Sequence, residues 1–220
     1  MKENYIQMTE NWIKEFVDLL YGHRKKGKIM IVAINKLKND IIERIIYPNE
    51  IFNYLKFLRA LNSEGYNIHI TVNMLKENAD NRRAESFLDK QCCLYFDFDS
   101  KNKKASLLFK EFFDLIKKFS LPFPSYIAKT SRANYQVYYV FDTEIDFQRL
   151  RLVMKKINAS LSLDPTHDIS RVFRLPGFRN KKENKDDLVM PIKHDMLFVN
   201  KLLGIKIIAT KKRYTLQDFE

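Results

Sequence analysis

The stretch "CCLYFDFDS" (92–100) sets two carboxylates, Asp97 and Asp99, two residues apart at the end of an apolar run. Side chains on a strand alternate between faces. If the run is a strand, Asp97 and Asp99 point the same way as Cys93 and Tyr95, and Leu94, Phe96 and Phe98 point into a core. Same-face residues two apart lie roughly 6.5–7 Å apart along the backbone. Carboxylates that close repel each other unless a proton or cation intervenes. Hard cations such as Mg²⁺ use one or two protein carboxylates together with substrate phosphates. Two such ions about 3.5–4 Å apart can clamp an in-line phosphoryl displacement. Nucleotide-sugar transferases also use Asp-x-Asp, so the pair alone does not choose a reaction.

Two further clusters narrow the choice. In "KTSRANYQVYY" (129–139), Lys129, Thr130, Ser131, Arg132 and Asn134 crowd a turn, and Asn134, Gln136 and Tyr138 share one face of the strand that follows. Hydroxyls, backbone N–H groups and cations at a turn can cradle a triphosphate. A polar hairpin turn leading into an aromatic core strand explains the same residues. "LDPTHDISRVFRLPGFRNKK" (163–182) gathers Asp164, His167, Asp168, Arg171, Arg174, Arg179, Asn180, Lys181 and Lys182. Pro165 and the Pro176–Gly177 pair fix the path of the chain. Guanidinium groups suit planar, bidentate contact with phosphate. A surface salt-bridge loop would account for the charges but not for the rigid turns.

These residues need elements to hold them. "NWIKEFVDLLYGHR" has apolar residues at helical spacing and runs into a basic knot, His23 to Lys28. "IMIVAI" (29–34) reads as a strand, "PNEIFNYLKFLRALNSEG" as a helix stopped at Gly65, and "YNIHITVN" (66–73) as a strand. Residues 74–90 read as a polar loop or weak helix. After the Asp97 strand, "SKNKKASLLFKEFFDLIKKFSLP" is an amphipathic helix, "SYIAKTS" and "NYQVYYVF" are two strands joined near Arg132, and "DFQRLRLVMKKINASLSL" is a helix. Strands and helices mixed in this order predict an α+β or α/β layout around a sheet.

The chain has 220 residues and a net charge of +12, an excess that suits a polyanionic partner, most often nucleic acid. Its two cysteines, Cys92 and Cys93, are adjacent, so on a strand they face opposite sides and do not predict a mutual disulfide. No C-x-x-C pair is present, and no zinc site is expected. With no apolar run long enough to span a membrane and no signal-like start, a cytoplasmic protein is expected, with no membrane partner.

The ordered set "LYFDFD", "TSRANYQVYY" and "LDPTHDISRVFRLPGFRNKK" resembles the three motifs of the archaeo-eukaryotic primase superfamily. The likeness is to the small plasmid and phage primases and primase–polymerases, which include replication-protein-B-type primases and CRISPR-associated relatives. It runs from about Tyr66 to Lys182. The resemblance implies a catalytic core with an RRM-like antiparallel sheet and an N-terminal α/β module. On that basis a single core over 1–220 is expected, with the module at 1–65, a catalytic part at 66–185 and a C-terminal extension at 186–220. Asp97, Asp99 and Asp164 would be catalytic and hold Mg²⁺ or Mn²⁺, with Asp168 the alternative third carboxylate. Ser131, Asn134, Gln136, Arg171, Arg174, Asn180 and Lys182 would bind nucleotide. Many relatives carry a phosphate-contacting histidine where this chain has Gln136, an uncharged donor.

The implied activity is template-directed nucleotidyl transfer on single-stranded DNA, making or extending short primers from NTPs or dNTPs. The basic clusters at 23–28 and 101–104 are candidates to track the template backbone. Relatives often continue into a helical primase domain or a helicase, which adds a helicase and other replication or CRISPR adaptation proteins to the expected partners. Two other readings stand beside this one. The first is a nucleotide-sugar transferase built on Asp-x-Asp. The second is a non-catalytic RRM-like module that reads bases with exposed aromatics, for which Tyr135, Tyr138 and Tyr139 are the candidates.

Overall fold

The computed structural model describes residues 2–24, 26–98, 105–118, 120–131, 134–161, 165–182, 186–191 and 212–219. Asp99, Arg132, Asp164 and the cluster 101–104 lie outside them. The chain forms two compact units, one of residues 1–91 and 169–189, the other of residues 92–168 and 190–220.

The first unit is built on a sheet of order β2–β1–β3–β7. Its strands are β1 (Ile29–Asn35), β2 (Asp40–Ile46), β3 (Asn67–Thr71) and β7 (Val172–Arg174). Helix α1 (Lys2–Tyr21) buries Trp12, Ile13, Phe16, Leu19 and Leu20, the stripe that its spacing predicts, and Val17 with them. The Tyr21 hydroxyl at its end donates to the carbonyl of Thr71, 2.6 Å away. Helix α2 (Ile51–Ser63) stops at Gly65, whose φ of 96° is easy only for glycine. Strand β1 is apolar and almost wholly buried, and Met30 and Val32 pack with Leu75 and Phe87. Strand β2 has no counterpart in the sequence reading. It is an edge strand with Ile41, Glu43 and Arg44 exposed, so it lacks a clean alternation. Residues 74–89 hold a short 3₁₀ turn, Ala84–Ser86, and isolated bridges that join Leu75 to Lys28 and to Phe87. A small hairpin, β8 (Arg179–Asn180) with β9 (Asp187–Leu188), completes the unit.

The second unit has a sheet of order β10–β5–β6–β4. The strands are β4 (Lys90–Phe98), whose first two residues belong to the first unit, β5 (Tyr126–Ser131), β6 (Asn134–Asp146) and β10 (Met190–Pro191). Helices α3 (Ala105–Lys118) and α4 (Phe147–Leu161) accompany it. Phe98 packs edge-on against Phe112 of α3, ring centroids 4.8 Å apart. On the same face Phe96 meets Tyr139 of β6. The chain returns at 212–219 to cover this side. Tyr214 bridges Phe141, and Phe219 packs on both Tyr139 and Phe141.

Strand β4 departs from its expected pattern. Leu94, Phe96 and Phe98 are buried as predicted, but so are Cys93 and Tyr95 on the opposite face. A sheet strand covered on both faces loses the alternation that one-sided burial would give. Cys92 and Cys93 are both free and buried. Every pairing described between named strands is antiparallel. Among the described residues no helix is long and apolar enough to cross a membrane.

Candidate functional site

Asp97 stands half-buried at the penultimate position of β4, where the apolar strand ends. Alternation sets it on the face of Tyr95 and Cys93, opposite Phe96 and Tyr139. Asn134, Gln136 and Tyr138 of the neighbouring β6 share that face. The loop 165–168 is tied to the same face. Thr166 Oγ1 donates to the carbonyl of Tyr95 (3.2 Å) and accepts from Asn158 Nδ2 of α4 (3.3 Å). The Tyr95 hydroxyl in turn donates to the carbonyl of Asp168 at 2.8 Å. Asp168 therefore follows a loop held on the strand that carries Asp97, with its own side chain exposed. His167 is half-buried. Burial first, then Lys155 and Arg151, lower its pKa. Asp99 and Asp164 lie outside the described residues. Among the described residues no group of three or more His, Cys, Asp or Glu side chains converges as a metal cage.

The β5–β6 turn holds the second cluster. Ser131 pairs with Asn134 across the turn, and the register shifts between Lys129 and Ser131. Thr130 Oγ1 donates to the Asn134 carbonyl at 3.2 Å. Asn134 is half-buried, while Ser131 and Gln136 are closed over at 5% and 2% exposure. The Tyr138 hydroxyl donates to Gln136 Oε1 (3.3 Å), which fixes the amide. Tyr135, Tyr138 and Tyr139 are all buried, so none presents a ring to a base as the RRM-like reading requires. Burial, with Tyr214 adding to it, raises the Tyr139 phenol well above its usual range.

Arg171, Arg174, Arg179, Lys181 and Lys182 of the third cluster lie in the first unit. Strand β7 pairs with β3 so that Arg174 stands opposite His69. The ladders extend this into one cross-strand row on a single face: Glu43 of β2, Val32 of β1, His69 and Arg174. Arg82 sits near its ends, with Nε 3.4 Å from Glu43 Oε1 and Nη1 donating to the Ser170 carbonyl at 3.1 Å. His69 was not singled out by sequence. Its place between alternating apolar residues in "NIHIT" was the available signal. Buried surroundings, then the Arg174 charge, push its pKa down to about 3, so it is neutral at ordinary pH. Arg171 and Arg174 are half-buried.

After β7 the Pro176–Gly177 turn sends the chain back. Gly177 has φ +89°, and a Cβ there would sit 2.9 Å from the Thr9 carbonyl oxygen. Two asparagines then seat the next strand: Asn62 Oδ1 accepts from the Arg179 N–H (2.9 Å) and Asn67 Oδ1 from the Lys181 N–H (2.8 Å). Alternation divides this strand's residues. Arg179 and Lys181 both ion-pair with Asp186, whose pKa falls through the Lys181 hydrogen bond first, then the nearby charges. Asn180 is buried and accepts from the Lys182 N–H at 3.1 Å.

The first unit also holds a cleft of about 570 Å³ that includes none of the motif residues. Arg24, Lys26, Tyr47, Asn49 and Phe52 line it, and Tyr47 and Phe52 are 43% and 39% exposed. Lys28 Nζ lies over the Tyr47 ring, 5.5 Å from its centre.

A family model, the RepB DNA-primase N-terminal domain, matches residues 52–202. The chain belongs to this family. All three motif clusters fall inside the matched range. The fold agrees. The primase–polymerase domain of cyanophage S-2L superposes with a TM-score of 0.66 at 17% identity, over 96% of this chain and 98% of that one. The catalytic domain of primase RepB′, solved in complex with initiator DNA, gives 0.58 at 16% identity, over 82% and 83%. A longer RepB′ structure gives the same score over 55% of its chain. No curated protein sequence matches. The chain therefore has the α+β fold, with antiparallel sheets, of the primase–polymerase domain on which it superposes.

Proposed function

We propose that this RepB-family chain makes or extends short primers on single-stranded DNA by template-directed nucleotidyl transfer with two metal ions. The observation that carries the reading is the family match across the segment that holds Asp97, Arg171 and Arg174. The oxygen donors present fit a hard cation: Asp97 closes a buried strand, and the loop that ends at Asp168 is hydrogen-bonded to that strand. Asp97, Asp99 and Asp164 would hold Mg²⁺ or Mn²⁺, with Asp168 the alternative third ligand. When bound, the metal ions lower the pKa of the attacking hydroxyl and neutralise charge on the phosphates.

The chain's own residues do the rest. Asp97 orients its carboxylate from a rigid strand end, so little reorganisation is left for the reaction. Arg171 and Arg174 carry guanidinium groups for the triphosphate, with neutral His69 beside Arg174. Asn134, with its side chain half-buried, and Lys182 are the more accessible of the other nucleotide ligands. Ser131, Gln136 and Asn180 complete the proposed nucleotide set, and all three are buried. The aromatic and cationic cleft at Arg24, Lys26, Tyr47 and Phe52 has the composition of a single-strand contact, in which rings stack on bases and cations follow phosphates.

The test is primer synthesis on unprimed single-stranded DNA with labelled ribo- or deoxynucleotides and Mg²⁺ or Mn²⁺, beside Asp97→Ala. Metal-dependent products from the wild type alone are expected. Extension of a primed template without synthesis on a bare one would restrict the activity to elongation. Silence in both assays would refute the proposal.

A further inference from the structure

We infer that Tyr95 is a positioning residue that holds the loop 165–168 in register with the acidic end of β4; the inference rests on the nucleotidyl-transfer reading above. Tyr95 lies two residues before Asp97 and shares its face of the strand. It grips the loop at two points. Its backbone carbonyl accepts from Thr166 Oγ1 (3.2 Å), and its hydroxyl, at the far end of the ring, donates to the Asp168 carbonyl (2.8 Å). Asn158 of α4 holds Thr166 from behind at 3.3 Å. Tyr95 and Thr166 are fully buried and Asn158 nearly so.

Packing alone does not call for this hydroxyl. The neighbouring core positions on β4, at 96 and 98, are phenylalanines. Tyr139, on the opposite face of the sheet, shows the contrast: its buried hydroxyl has no hydrogen-bond partner among the described residues. The loop 165–168 has no helix or strand of its own. Its distance from β4 is therefore set by side-chain bonds. A carboxylate that must meet a cation together with Asp97 loses most of its effect if displaced by about 1 Å.

The experiment compares Tyr95→Phe with Tyr139→Phe in the full chain. Mn²⁺ affinity is measured by electron paramagnetic resonance, and kcat, nucleotide KM and melting temperature are measured alongside. Tyr95→Phe is expected to weaken Mn²⁺ binding and lower kcat by about tenfold each, with nucleotide KM within about twofold. Tyr139→Phe is expected to leave all of these within about twofold. A Tyr95→Phe protein that melts earlier but binds Mn²⁺ like the wild type would show a packing role and overturn the inference. If Tyr95→Phe fails to fold, Thr166→Val, which removes the other grip, must show the same split between kcat and KM, with Thr166→Ser restoring it. Asp97→Asn separates the two layers of the argument. If the wild type and Asp97→Asn bind Mn²⁺ equally, the metal assignment itself fails and the inference falls with it. If only Tyr95→Phe is silent, the inference alone fails.

Discussion

The sheet β2–β1–β3–β7 and the sheet β10–β5–β6–β4 have the same number of strands but place their polar groups differently. The first carries Arg174 on β7, a three-residue edge strand paired to β3, with Arg171 just before it, and leaves both half-buried. In the second, β4 is buried on both faces from Cys92 to Phe96, and over Cys92–Phe98 its one charged residue is Asp97, near the strand end. Around Asp97 the buried polar groups are neutral hydroxyls and amides: Tyr95, Thr166, Asn158 and Gln136. The contrast has a physical basis. Guanidinium groups on long stems can adapt to a phosphate from a partly open edge. A short carboxylate has no such reach, so its backbone must be fixed for it.

If that division is right, variants in the two units should fail in different ways. The largest effect is expected from Asp97→Ala, a loss of at least about 10²-fold in kcat with stability within about 1 kcal/mol, read by primer extension and denaturant melts. Retained activity would break the assignment of acid chemistry to the second unit. Next comes Gly177→Ala. The left-handed φ and the clash with the Thr9 carbonyl predict a loss of about 1–3 kcal/mol in stability, with nucleotide affinity falling as β7 and β8 are disturbed and Mn²⁺ affinity unchanged. Equal losses of both ligands would mean that the units do not divide the labour. Arg174→Ala should raise nucleotide KM about tenfold with a smaller change in kcat. A kcat defect with normal KM would move Arg174 to the other side of the comparison.

The smallest effect is on pH dependence. His69 has its folded pKa pushed down to about 3, below the ordinary 6.5. The unfolded chain therefore binds a proton that the folded one refuses. The stability this protects is present above pH 6.5 and is lost as pH falls toward 3. His69→Gln should flatten the melting-temperature slope across that window. An unchanged slope would show that His69 is not held neutral beside Arg174.

Much of this was readable from the chain. Helices α1, α2 and α4 and strands β1, β3, β5 and β6 follow their apolar periodicity, because each buries one face or is wholly buried. Strand β2 was not legible, since Ile41, Glu43 and Arg44 are all exposed on an edge. Strands β7, β8 and β10 have two or three residues and are too short to carry a period. The location of Asp97 was legible, but the burial of Tyr95 was not. That burial depends on Thr166 and Asp168, about seventy positions later in the sequence. The division of the third cluster was equally hidden: the chain passes from the second unit to the first between Asp168 and Ile169.

Strand β7 also sets a schedule for the newborn chain. It joins β3 only after roughly a hundred intervening residues have been made, about 5–20 s of synthesis at common rates. Until then the edge of β3 at His69, Ile70 and Thr71 lies open to other strands, the kind of edge that recruits a stray chain. The same delay brings Arg171 and Arg174 off the ribosome long after Asp97. A chain cut short in translation would therefore carry Asp97 but neither Arg171 nor Arg174.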